Sequence, residues 1–541
     1  MEEKFHKRIP ELHEQMRQGK ITRREFLRYA TLLGASLVTA KALATPTSVL
    51  TGPKVGGTLN YAETGAFNSF NPWRMYIANA SLGSQVYSRL LWKDLDGNEH
   101  LDMAEGMEMA PDGLSLTVKM HENIKWHDGQ ECTAQDFVNM FGYTKDPELM
   151  EDVGVKKFAG LLKPIEDVQA VDKYSIKFVF AAPVPYGYIT DILDYWYAVR
   201  IDDKTDAVLQ KNLAIGTGPF KMVEWEPNQY TRYVRNEDYY LEGYPYLDEW
   251  VFKRLERAET LVPNLLADAV DGIGSVPEPD VEALQKEKDY WVEIATGSGS
   301  ILNICVNHRL PPFDKKEVRL ALSYSLNREA IVKNVFYNLG APTCSPFWHP
   351  ASLGYREDLV NAHAFDLDKA AQLLEQAVVK DLEMDIHTPA GWPGWTDYAL
   401  IWQADLAKIG VTLNVREVEV SKFYDIAADP NLEGSAVHPW ATGRTKRDTA
   451  IFIFTQPQYV SPNKYGWVNE EFEKLAEDAV VELDPEKRCE MYQRCNEIYM
   501  EDLPMLQIMN TVSVRAWHND VKGPTDDLLG YLVLWKAWLD R

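Results

Sequence analysis

The chain predicts an α/β protein of several domains with an α+β block set into it, and three observations carry that expectation. Ala104 to Val138 reads as a hairpin followed by a capped helix, and Ile165 to Phe180 as a further hairpin. From Asp366 to Val415, helix-period and strand-period segments alternate. The 541 residues are 45% hydrophobic and include 16 Trp and 27 Tyr, core material for about two to four domains.

In the α+β block, Asp112-Gly113 supplies the pair that a tight turn favours. Leu114, Leu116, Val118 and Met120 then alternate with Ser115, Thr117, Lys119 and His121, the pattern of a strand with one buried face. Glu122-Asn123 breaks the run. Ile124 and Trp126 resume it as a second short strand, and Asp128-Gly129 ends it. Thr133 with Asp136 three residues on forms an acidic variant of the capping box, predicting a helix with Phe137, Val138 and Phe141 facing inward. Val168 and Val171, then Ile176, Phe178 and Phe180, flank the Asp172-Lys173 turn.

These residues resemble the signature of the peptide/nickel-type (family 5) solute-binding proteins of ABC importers. The resemblance runs through Ala104-Glu105, Asp112-Gly113, Thr117, Ile124 to Gly129, Thr133-Ala134 and Asp136. It departs at Met107 and His121, where the family tends to an aromatic and an arginine. It continues in Gly56-Gly57-Thr58-Leu59 with Asn71-Pro72, in Val86 to Trp92, in Gly216-Thr217-Gly218-Pro219-Phe220, and in Pro312-Phe313-Asp314 with Val318 to Ile331.

The resemblance implies an α/β, two-lobed periplasmic binding protein fold (type II, cluster C) with an additional α+β domain. It further implies a hinge that closes on a small-molecule or short-peptide ligand and docking on an inner-membrane ABC permease. On that basis the chain divides into a signal peptide at 1–44, lobe I at 45–89, the accessory α+β domain at 90–212, lobe I again at 213–311, lobe II at 312–504 and a return to lobe I at 505–541.

The N-terminus reads as a twin-arginine export signal. Thr22-Arg23-Arg24-Glu25-Phe26-Leu27-Arg28 precedes a mildly apolar run from Tyr29 to Ala40, and Ala42-Leu43-Ala44 follows as a small-residue cleavage site. Lys41 sits awkwardly close to that site, and no cysteine near residue 44 suggests a lipid anchor. The expected product is a soluble periplasmic monomer. The formal charge is −25; residues 1–44 hold nine Lys/Arg and five Asp/Glu, which leaves 47 basic against 76 acidic side chains, a net −29. Such a field argues against nucleic acid or an anionic membrane as partner and suits a solvated, soluble surface. Cys132, Cys305, Cys344, Cys489 and Cys495 form no C-x-x-C pair; they read as buried or free thiols, with one disulfide possible and none assignable.

Candidate ligand residues follow from position within the resemblance and from local chemistry. Ala66, Phe67 and Asn68 fall in the loop that lines the cleft in the family, although Phe67 taken alone reads more readily as core than as a ligand platform. Peptide-binding members hold the substrate's amino group with an Asp in a Trp-x-x-Asp-Tyr type motif. Here Trp440 matches, Gly443 stands in place of the carboxylate, and Thr442, Arg444, Arg447 and Asp448 surround it. A guanidinium offers a planar fork for a carboxylate and Trp a face for an apolar group, so the exchange favours a substrate with an exposed carboxylate. The same cations read alternatively as solvated or paired with Asp448. Trp392 and Trp395 sit among Gly391, Pro393 and Gly394 in a loop and join the candidates, whereas Trp402 falls in a helical pattern and reads as core.

Catalytic readings find little support. His127-Asp128 belongs to the signature turn, no H-x-x-x-H or H-E-x-x-H spacing occurs, and Thr296 to Ser300 does not fit Gly-x-Ser-x-Gly. The glycines of 216–218 lack the Lys-Ser/Thr of a nucleotide loop. The expectation is a binding protein with no catalytic residues, no metal ligands of its own and no cofactor, with a sensory or chaperone-like binding protein and a periplasmic hydrolase as alternatives.

Overall fold

The computed structural model describes residues 52–64, 82–145, 162–201, 214–296, 300–350, 352–392, 394–429, 435–442 and 466–541. The expected signal at 1–44 lies outside them. The chain divides into two compact units, Met1–Lys54 and Val55–Arg541, and the architecture below is that of the second.

Lobe I is built on a seven-stranded sheet in the order Tyr290–Ala295, Ser513–His518, Gly272–Gly274, Thr58–Glu63, Glu249–Arg254, Tyr230–Arg235, Phe220–Glu226. Thr58–Glu63 runs parallel to both its neighbours, and the remaining pairs are antiparallel. Cross-strand partners share a face, so the register sets two rows across the sheet. Tyr61, Gly272, Trp517 and Trp291 form one row, with Trp517 stacked on Tyr61 at 5.1 Å and on Trp291 at 6.2 Å between ring centroids. Gly274, Arg515 and Glu293 form the other, with Glu63 against them, since Arg515 Nη1 lies 2.7 Å from Glu63 Oε1.

Glycine is required in the short strand between: a Cβ on Gly272 would fall 2.1 Å from the Trp517 ring, and one on Gly274 2.2 Å from Glu63 Oε1. The C-terminal segment covers these rows, tied by Arg515 Nε to Asp526 Oδ1 at 2.7 Å and by Trp291 Nε1 to the Val521 carbonyl at 3.1 Å. The opposite face buries Ala62, Ile273, Val514 and Ala516 against Leu261–Leu266 and Glu278–Leu284, two short helices.

The accessory lobe is an antiparallel sheet of Ala104–Met109, Ser115–Met120, Ser175–Phe180 and Ile165–Ala170, in that spatial order. Leu116, Val118 and Met120 are buried, as the alternation predicts, while Leu114 is 39% exposed at the turn. The helix is Ala134–Tyr143, and Asp136 Oδ2 accepts the Thr133 N–H at 2.7 Å, so the acidic capping box forms. Met140 rather than Val138 is fully buried; its sulfur accepts the Trp196 indole N–H at 3.0 Å. Ile124 and Trp126 are buried without forming a strand, because their segment folds back through a single bridge from Lys125 to Glu131.

Lobe II has a four-stranded sheet, ordered Ala341–Pro342, Met505–Asn510, Ile301–Val306, Val437–Thr442, beside a parallel pair, Glu383–Pro389 with Thr412–Val418. Helices Lys316–Tyr324, Leu367–Gln376 and Trp395–Ala407 supply Leu322, Leu374 and Trp402 to its core. Trp402 is fully buried and donates to Ser325 Oγ at 2.8 Å.

The sheets divide at residues other than the expected boundaries. Ile301–Val306 and Met505–Asn510 both belong to the lobe II sheet, so the chain passes between lobes before residue 301 and after residue 510, not at 311/312 and 504/505. Both strands are buried at every position and so carry no alternation to mark which sheet they join. No disulfide joins the five cysteines; Cys489 is half-buried and the others buried.

Candidate ligand cleft

Two crossovers join the lobes. One runs from Tyr290–Ala295 into Ile301–Val306 and the other from Met505–Asn510 into Ser513–His518; Thr511 ties them, donating through N and Oγ1 to the Ser300 carbonyl at 2.8 and 2.9 Å. Such a paired crossing is the geometry of a hinge. Thr442 pairs with Ile301, so Val437–Thr442 runs toward the crossing and ends there.

On lobe II, Glu383–Pro389 and Thr412–Val418 are parallel and finish side by side. Open α/β sheets bind ligands outside such carboxyl ends. Trp392 follows the first strand; Gly394, at φ 77°, then turns the chain into the helix that begins at Trp395. The helix Val420–Ala428 follows the second strand and contributes Phe423 and Tyr424. Trp392 meets Trp395 edge-on at 5.0 Å, Phe423 at 5.8 Å and Tyr424 at 6.1 Å. Phe423 stacks on His438 of Val437–Thr442 at 4.8 Å. Phe423 and His438 are buried, the two tryptophans half-buried and Tyr424 48% exposed. The result is an aromatic wall with a buried base and an open rim.

On lobe I, the strand Thr58–Glu63 ends at a buried carboxylate held by Arg515 and by the Tyr61 hydroxyl at 2.5 Å. Three carboxylates, Glu63, Asp526 and Glu293, surround that single guanidinium. Glu293 Oε2 and Asp526 Oδ2 are buried and have no hydrogen-bond partner among the described residues. Burial first, and then the neighbouring Asp526 charge, push the Glu293 carboxyl up to about 7, so it holds a proton near neutrality. Glu293 lies two residues before the end of its strand at the crossover.

Of the sequence candidates, Trp392 and Trp395 come together in the aromatic wall, and the backbones of Trp440 and Thr442 lie in the strand that ends at the hinge. Ala66, Phe67, Asn68, Arg444, Arg447 and Asp448 lie outside the described residues. Sequence reading missed Phe423, Tyr424 and His438. The Val-Ser-Lys-Phe-Tyr stretch carries no motif, and only the parallel register of Glu383–Pro389 with Thr412–Val418 brings it to Trp392.

The signature residues prove structural. Gly216 N–H donates to His127 Nδ1 at 3.4 Å, and His127 Nε2 meets the Gly218 carbonyl at 3.0 Å, which assigns the ring proton to Nε2. Desolvation lowers the imidazole to about 4, so it stays neutral. Asp128 binds the Arg200 guanidinium at 2.8 Å through both oxygens. His127 and Asp128 therefore bond to different partners and pin the turn to the Gly216–Gly218 segment. That segment in turn lies on residue 86: a Cβ on Gly216 would sit 1.9 Å from the Val86 carbonyl oxygen.

Two lobes on a double crossover, with an aromatic wall at the carboxyl ends of the parallel pair of lobe II and an accessory lobe locked to one side, define a hinged binding protein. The profile of the bacterial extracellular solute-binding proteins, family 5 (middle), matches residues 99–460, and the chain belongs to that family. It is the solute-binding component of an ABC transporter, capturing substrate and delivering it to a membrane permease; members of the family are transport components found in the periplasm or outside the cell. The chain is 28% identical to the oligopeptide-binding protein AppA of Bacillus subtilis (strain 168), over 90% of this chain and 92% of that one. It is 25% identical to the dipeptide-binding protein of Escherichia coli (strain K12), over 87% and 93%. Among solved structures, it superposes on the binding protein AgaA in complex with agropinic acid, from A. tumefaciens R10, with a TM-score of 0.79 at 21% identity, covering 90% of this chain and 99% of that one.

Proposed function

We propose that the cleft takes a small solute with an exposed carboxylate, a short peptide or a peptide-like conjugate, laying its apolar part on the aromatic wall. One observation carries this reading: Trp392, Trp395, Phe423 and Tyr424 gather at the carboxyl ends of the parallel pair, beside a strand that ends at the hinge with Thr442. Arg444, Arg447 and Asp448 come shortly after Thr442 in sequence and supply the cationic groups on which the carboxylate reading rests. Ala66, Phe67 and Asn68 come shortly after Glu63 in sequence. Relatives whose names specify oligopeptide, dipeptide and agropinic acid support a ligand of this size range carrying a carboxylate.

Calorimetric titration tests the reading, with agropinic acid and with dipeptides whose C-terminus is free or amidated. Arg444→Ala should weaken the best carboxylate ligand about tenfold or more, the scale of a charge-assisted pair. Trp392→Ala should weaken free and amidated ligands alike. Unchanged affinity for every bound ligand in Arg444→Ala sinks the carboxylate assignment. Native mass spectrometry of protein taken from its own periplasm adds the mass of any retained ligand, the monomeric state and the expected maturation after Ala44.

A further inference from the structure

A second connection between the lobes lies far from the hinge in sequence. The lobe II helices Glu470–Val481 and Pro485–Asp502 are joined by residues 482–484. This link is fixed from within: Glu482 Oε1 accepts the Asp484 N–H at 2.8 Å, and Asp484 Oδ1 caps the second helix by accepting Glu486 N–H at 3.0 Å. Leu483 is thereby held out, 43% exposed. It rests on the Gly113 turn of the accessory hairpin. A Cβ on Gly113 would lie 3.0 and 3.2 Å from the two Leu483 methyl carbons and 3.4 Å from Pro183 Cβ.

Gly113 takes φ 69°, and its carbonyl accepts the Val184 N–H at 2.9 Å, so turn and proline form one surface. The buried cores agree with this contact. Phe472, Ala479 and Tyr492 of the helix pair fall in one continuous apolar cluster with Leu116, Phe178 and Ile189 of the accessory lobe. The core around Leu322 and Trp402 of lobe II is a separate cluster.

The accessory lobe is locked to lobe I through His127, which bonds the Gly216 N–H and the Gly218 carbonyl, and through Arg89, whose guanidinium bridges Asp194 and Asp527 at 2.8 Å each. The helix pair is locked to lobe II, since Arg319 Nε donates to the Asp502 carbonyl at 2.6 Å and Asn496 Nδ2 to that of Gly354 at 2.8 Å. A hinge motion must therefore make or break the Leu483 contact.

We propose that Leu483 and the Gly113–Pro183 surface form a closure latch, which gives the accessory lobe a part in setting the balance between open and closed forms. The latch depends on the two-lobed fold and not on the identity of the solute.

Small-angle X-ray scattering of the ligand-free full chain reads that balance. Leu483→Asp should shift the open-to-closed ratio about fivefold toward open and enlarge the radius of gyration, the effect of losing about half a leucine's burial, while melting within about 2 °C of wild type. Leu483→Met should scatter as wild type. Val378→Asp, at a residue 82% exposed elsewhere on lobe II, should do the same. Should Leu483→Asp fail to fold, Leu483→Ser carries the comparison. Scattering unchanged in the Leu483 variant, or moved equally by Val378→Asp, overturns the latch.

Discussion

His127 shows how one side chain of the signature is used to hold the fold together. Its two ring nitrogens join the Gly216 N–H and the Gly218 carbonyl, which only the neutral ring can do. Burial lowers its folded pKa to about 4 against an ordinary 6.5. A depressed basic group contributes stability that is present above the unfolded pKa and is lost as pH falls toward the folded one, here between about 6.5 and 4. His127→Gln should cost about 1–3 kcal/mol at pH 7 from the disturbed hydrogen bonds. It should also be less sensitive to acid across that window, with ligand affinity unchanged. Urea unfolding at pH 7 and pH 5 checks both, and a variant as acid-sensitive as wild type would refute the assigned role.

Elements were legible where local chemistry alone decides them. The Asp112-Gly113 turn, the Thr133–Asp136 cap and the amphipathic helix at Leu367–Gln376 depend on residues within a few positions of one another. The strands Ile301–Val306 and Met505–Asn510 were not legible as lobe II members, because uniform burial erases the period-two signal and pairing over some 200 residues is set by the whole sheet. Glycines fall between these cases. The glycines at 216 and 218 were visible as punctuation, but their reason, the Val86 backbone less than a side chain away, is tertiary. Gly216→Ala should therefore lose at least about 3 kcal/mol or fail to fold. Gly142→Ala, inside the helix Ala134–Tyr143 with nothing within 4 Å of the new carbon, should gain up to about 1 kcal/mol. Chemical denaturation of the pair separates steric from propensity effects.

Across the whole molecule, the candidate cleft was legible as a set of residue types but not as an arrangement. Trp392 stood out as a loop tryptophan, whereas Phe423 and His438 reach it only through the parallel register. Glu293 was invisible because a carboxylate in an alternating strand reads as solvent-facing until Asp526 and Arg515 are placed beside it. Its raised carboxyl makes a second, opposite pH dependence. Stability from this group is full below about 4.5 and is lost as pH rises through about 7, where a charge must be buried among Glu63, Asp526 and one guanidinium. Glu293→Gln, fixed in the neutral form, should match wild type at pH 5 and exceed it by about 2 kcal/mol at pH 8, a figure reduced for partial solvent access. Equal stability at both pH values would remove Glu293 from the account.

The double crossover has a further consequence for the order in which the molecule can be made. Ser513–His518 inserts between Gly272–Gly274 and Tyr290–Ala295, so two strands translated some 220 residues earlier wait for a partner that emerges almost last. Until then the lobe I sheet is split, Tyr290–Ala295 has no neighbour, and Trp517 is missing from between Tyr61 and Trp291. Lobe I, although its first strand is among the earliest synthesised, is completed after the main body of lobe II, and a ribosome-bound chain stalled before residue 513 would present open strand edges to its surroundings.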